Sequence, residues 1–196
     1  MVMLTLNPTL EHTCRMLASV PRLRLLRLVC AHPGLAVFEL ARQAGVHVSG
    51  ASQDLHRLHS CGLLQRVTPT GERRVTYLPK AAPSIPNAAP ILKAIQATFR
   101  KHPPARDPET AAIAAALAHP RRIAILTELL NGPRNIHALQ AALQCPLRTL
   151  YHHLNIIQDG KMLERARLMY RVANNPHPLA KCLLGLLLEP QHMPLK

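Results

Sequence analysis

The chain holds no tryptophan, two phenylalanines and three tyrosines in 196 residues. A core must therefore be built from Leu, Ile, Val and Ala, and that composition favours helices over an all-β fold. Readers of single-stranded nucleic acid stack bases on aromatic rings, so the scarcity of rings argues against that class. Acids are scarce too: 10 Asp plus Glu stand against 24 Lys plus Arg. The five cysteines, Cys14, Cys30, Cys61, Cys145 and Cys182, form no Cys-x-x-Cys pair. That pattern fits a reducing cytosol better than a disulfide framework. The opening "MVMLTLNPTLEH" lacks a basic start and a long apolar run, so no signal peptide is expected. The longest apolar block, near "CLLGLLL", is far too short to span a bilayer. A cytoplasmic location is expected. No phosphate-cradling glycine loop and no nucleophile with an evident base occurs, so no enzyme is expected.

What is present is positive charge, +14 overall and mostly arginine. Arginine's planar fork of donors suits phosphates and guanine edges, so a polyanionic partner is expected, nucleic acid first. Residues 1–100 hold 12 basic and 4 acidic residues and residues 101–196 hold 12 and 6, so both halves carry the property.

The chain also repeats itself. "LASVPRLRLLRLV" (17–29) matches "LAHPRRIAILTEL" (117–129) at an offset of 100. "VFELARQAGVHVSGASQDLHRLHSCGLLQR" (37–66) matches "IHALQAALQCPLRTLYHHLNIIQDGKMLER" (136–165) at an offset of 99. Tyr77 then falls on Tyr170, so the second copy is six residues shorter between its Arg and its Tyr. A period this long indicates a duplicated domain rather than a solenoid. The joint is expected at "RKHPPARDPET", with domains 1–102 and 103–196.

In the first unit, helices are expected over 9–19, from Pro21 to about Ala31, over "VFELARQAG", and over "SGASQDLHRLHS". The last of these is small and polar at its front, and Leu55 and Leu58 mark its buried back. Gly62 releases the chain into two β-prone pieces, "LLQRV" and "RRVTYL", around a "TPTGE" tip. A final helix, roughly 87–101, aligns Ile91, Ile95 and Phe99. The order is that of a winged helix-turn-helix. The expected fold is mostly α with small β-hairpins: two tandem winged helix-turn-helix domains packed as a pseudo-dimer.

At these residues the sequence resembles the ArsR-type winged-helix repressors of bacteria and archaea. "LASVPRLRLL", "ELARQAGV", "SQDLHRLHSCGL" and "ERRVTYL" carry the likeness in the first half, and "LAHPRRIAIL", "YHHLNIIQDG" and "RLMYRV" in the second. The resemblance implies a sequence-specific DNA-binding transcriptional regulator, a repressor that excludes polymerase. The sequence departs from the family at several places. The family's recognition-helix His falls on Asp54 in the first half and on His153 in the second. Tyr151 stands where the first half has Ser52, Gly160 comes one place early, and "ERARLMYR" leaves almost no wing tip. The family's metal-binding patterns are absent from the third and last helices. His56, His59 and Cys61, and the adjacent His152 and His153, are spaced poorly for converging on one ion, so neither metal nor cofactor is expected.

The expected DNA contacts in the first half are Ser49, Ser52 and Gln53 in the groove, with His56 and Arg57 near the backbone. Arg66, Arg73 and Arg74 would lie along the first wing. The second half offers Arg148, Thr149, Tyr151 and His152, with Arg165, Arg167 and Arg171 on the shortened hairpin. Arg22 and Arg122 recur at the start of the second helix of each half, where a structural role is favoured over a phosphate contact. The last helix, "PLAKCLLGLLL", is apolar on nearly every face. It is either buried between the two copies or held in a homodimer through Leu179, Leu183, Leu186 and Leu187. A rival reading is a tandem winged-helix protein-interaction scaffold in chromosome organisation or complex assembly, which a neutral or acidic surface would favour.

Overall fold

The computed structural model describes residues 8–68 and 74–188. In the first half, α1 (Pro8–Leu17), α2 (Val20–Ala31), α3 (Val37–Ala44) and α4 (Val48–Ser60) precede a hairpin of β1 (Gln65–Val67) and β2 (Thr76–Leu78). Helix α5 (Ala88–Lys101) closes that half. A 3-10 turn at Pro104–Arg106 leads into the same order again: α6 (Asp107–Ala115), α7 (Pro120–Leu130), a short β3 (Arg134–Asn135), α8 (Ile136–Leu143) and α9 (Leu147–Asp159). The hairpin β4 (Leu163–Ala166) and β5 (Met169–Val172) and helix α10 (Pro178–Leu188) follow. The sheets are antiparallel, with order β1-β2 in the first half and β3-β5-β4 in the second.

The left-handed backbone positions recur at the offset seen in the sequence. Gly45 (φ 67) ends α3, and Gln144 (φ 47), 99 residues later, ends α8. Gly62 (φ 78) follows α4, and Lys161 (φ 53) takes the matching place after α9. Gly160, which the sequence placed one residue early, therefore has another task. A Cβ there would lie 2.7 Å from the Ala112 carbonyl oxygen, so its missing side chain lets α6 approach the end of α9.

Buried Leu, Ile, Val and Ala from both halves join in one cluster. Leu55 and Leu58 are fully buried beneath α4, and Leu63 and Leu64 seat the following strand. Across the halves α1 packs on α6 and α5 packs on α10. The latter contact decides between the two places expected for the last helix. Leu179, Leu183 and Leu186 are buried within the chain, largely against α5 and α6, and so do not present a free homodimer face; Leu187 is half-buried. The joint is likewise less loose than its prolines imply. Asp107 and Thr110, inside "RKHPPARDPET", are buried at 0% and 1% exposure in the first turn of α6.

A correction concerns the wing of the second half. Its four-residue strands close around a two-residue turn, Arg167-Leu168, and β3 extends the sheet, so the wing is short but fully formed. The short "ERARLMYR" still holds a turn because Arg167 adopts the left-handed conformation, at φ 55, that Gly or Asn ordinarily supplies there. The expected "TPTGE" tip of the first wing lies outside the described residues.

Candidate nucleic-acid interface

Helix α4 is held by its back and open at its front. The His47 Nδ1 accepts from the Ser49 backbone N–H and lies 2.8 Å from the Ser49 hydroxyl, capping the first turn. Ser49, Ser52, Gln53 and His56 are all exposed, and their i, i+3, i+4, i+7 spacing makes them one stripe opposite the buried Ala51, Leu55 and Leu58. Arg57 lies beside the stripe, exposed, with its Nη1 donating to Asp54 Oδ1 at 2.9 Å.

Helix α9 repeats the arrangement with different chemistry. Arg148, Tyr151 and His152 are exposed, Tyr151 to 43%. Thr149 is half-buried and sits off the stripe. The fourth member is Asn155, exposed at the position matching His56. Asn155 was missed among the expected contacts, although the 99-residue offset applied to His56 identifies it. Val48, 48% exposed at the start of α4, was missed as well, because an apolar residue there reads as core.

The wings carry arginines of unequal availability. Arg66 and Arg74 are exposed on the first wing, and Arg73 lies outside the described residues. On the second, the Arg171 guanidinium donates to Glu164 Oε2 at 2.7 and 3.0 Å across the hairpin, so its charge is largely neutralised. Arg165 lies 5.6 Å from the Tyr170 ring centroid and donates to the Arg167 carbonyl. The Arg167 side chain pairs with no acid among the described residues.

Asp54 does not face the open stripe. Its side chain is 18% exposed and also meets Arg22 Nε at 3.4 Å, tying α4 to α2. Arg22 further donates to the Arg15 carbonyl at 3.4 Å, so its role is structural. In the second half His153 occupies the matching place and is buried. Its ring centroid lies 4.6 Å from that of His119, and its Nδ1 has no partner among the described residues. Burial, then the neighbouring His119 and Arg122, pushes the His153 pKa down to about 4. Arg122 is left without the acid that Arg22 has. Burial, together with Arg15, lowers its pKa.

At the end of α4, His59 Nδ1 lies 2.8 Å from the Leu64 carbonyl oxygen, and Cys61 Sγ donates to Leu58 O. Among the described residues no helix is long and apolar enough to cross a membrane.

The two stripes and wings together form a surface that can lay small polar, imidazole and guanidinium groups against a polyanion. No curated protein matches the chain. A family model described as MarR family matches residues 19–74, from the residue before α2 to the far side of the first wing. Those residues carry the winged helix-turn-helix of a DNA-binding transcriptional regulator.

Proposed function

We propose that this chain is a tandem winged-helix repressor, not an enzyme, that grips double-stranded DNA with two unlike halves, residues 1–102 and 103–196. The observation that carries the reading is the repeated stripe: Ser49, Ser52, Gln53 and His56 on α4, and Arg148, Tyr151, His152 and Asn155 on α9, all exposed in a chain of charge +14. The ArsR-type motifs quoted above support a repressor of that type, and the MarR-family match over 19–74 supports the same module in the first half. The work would be done in the cytoplasm, whose reducing conditions suit five cysteines with no Cys-x-x-Cys pair.

The mechanism follows from the packing. Pairing of α1 with α6 and of α5 with α10 supports a pseudo-dimer within one chain. Two recognition helices so held enter successive major grooves roughly 34 Å apart on one face of the duplex. Arg148 is the guanine reader, through its bidentate fork, and Gln53 suits adenine. The four matched positions differ in every case, so the operator is not a perfect palindrome.

Salt titration of duplex binding tests the proposal. Neutralising about six phosphates gives a slope of log affinity against log salt near −5. A flat response contradicts it.

A further inference from the structure

The tip of the second wing is apolar where a hairpin tip is ordinarily polar. Leu168 is 72% exposed, more than any other large apolar side chain among the described residues, and Met169 beside it is 39% exposed. Short turns normally hold Gly, Asn or Asp, which tolerate the backbone and welcome water. Here the two turn residues are Arg167 and Leu168, between the paired Ala166 and Met169. Arg167 is held at φ 55, a strained conformation for a residue with a Cβ. The hairpin thus accepts strain to place a guanidinium beside a projecting leucine. Arg165, on the stem below, keeps its guanidinium near Tyr170. Helix α9 packs on β4, so the tip is fixed relative to the exposed stripe on that helix.

An apolar side chain flanked by arginines has the chemistry of a minor-groove wedge. Such wedges partly unstack a base step and bend the duplex, while the cations hold the adjacent phosphates. We propose that the second wing inserts Leu168 between two base pairs from the minor groove, with Arg165 and Arg167 on the flanking phosphates, and kinks the duplex there. This rests on the DNA-binding reading above. It adds a source of selectivity without base contacts: the step under the wing should be a flexible pyrimidine–purine step such as TpA. Glu164 keeps Arg171 out of this arrangement, so the wedge is served by two arginines rather than three.

The test uses the full chain and a duplex about three helical turns long, recovered by selection from a random pool. Its ends carry a donor and an acceptor dye, and 2-aminopurine replaces the adenine at the step beneath the wing. The native chain should raise both energy transfer and 2-aminopurine fluorescence. Leu168→Ala, at an exposed site and with protein added to saturation, should lose both signals. Leu168→Met should keep them. Tight binding by Leu168→Ala with both signals intact overturns the wedge and leaves the DNA-binding reading standing. Absence of salt-dependent binding by the native chain overturns both. Sedimentation without DNA should give the same mass for the native chain and for Leu168→Ala. A larger native mass that the variant loses would mark Leu168 as a contact between copies and overturn the proposal.

Discussion

Arg27 of α2 and Asp107 at the start of α6 meet at 2.5 Å across the joint between the halves. Asp107 is fully buried and the Arg27 side chain is 15% exposed. Arg27 also donates to the carbonyls of Phe99 and His102, each at 3.1 Å, and lies 4.2 Å from the Phe99 ring centroid. One guanidinium thus holds the end of α5 and the beginning of α6 against α2. Removing one partner of such a pair leaves a poorly solvated charge, at a cost of about 3–5 kcal/mol. Asp107→Ala should lower the urea midpoint accordingly. Arg27→Met with Asp107→Leu should recover part of the loss, because no lone charge remains.

Gly160 and Lys161 should respond in opposite directions. Gly160→Ala pushes a methyl to 2.7 Å from the Ala112 carbonyl oxygen, so α6 and α9 must separate, at a cost of about 1–3 kcal/mol. Lys161→Gly relieves a left-handed lysine at φ 53 and forfeits only an exposed ion pair with Glu109. It should stabilise the protein by up to about 1 kcal/mol. Thermal denaturation of the two variants checks both signs.

Acid should destabilise the protein through His177 and His153. Burial, then the stacked His102, pushes the pKa of His177 to about 4, and burial does the same for His153. An ordinary histidine takes up its proton near pH 6.5, so the unfolded chain binds protons in a range where these two sites refuse them. Their contribution is complete above about pH 6.5 and is lost as pH falls toward 4, on the order of 1–3 kcal/mol for each. His177 Nδ1 accepts the Leu179 N–H at 3.2 Å, capping α10. His177→Asn keeps an acceptor there and removes the proton uptake. Its stability should fall less between pH 7 and pH 5, measured by denaturant titration at each pH.

Asp54 restrains two arginines beside the proposed groove-facing stripe. Asp54→Asn should weaken the ties to Arg22 and Arg57, lowering the melting temperature by a few degrees. It should also strengthen duplex binding and steepen the salt slope by about one unit, since Arg57 can then meet a phosphate. Equal affinity and slope in the variant would place Arg57 away from the duplex.

The polar stripe on α4 was legible in the sequence because its spacing is helical and its reverse side is Leu55 and Leu58. The order of elements was legible because the same motifs occur twice, and the left-handed positions follow that offset even where glycine is absent. What the sequence hid is long-range. Nothing local shows that Asp107, in a proline-rich joint, is the partner of an arginine 80 residues earlier. Nor does it show that Asp54 and His153 turn toward α2 and α7 rather than outward. The apolar α10 left two options open, and only the packing of α5 against it decides where its leucines go. The second wing reads as almost tipless because it is six residues shorter than the first, yet Arg167 at positive φ lets a two-residue turn close it.

Hydroxyl-radical footprinting of one chain on a selected duplex, with the stoichiometry fixed by sedimentation, tests the central claim most directly. Two halves joined in a single chain predict one chain per duplex and two protected patches about one helical turn apart on one face, over unlike sequences. A single patch, or identical inverted halves beneath two chains, would contradict it.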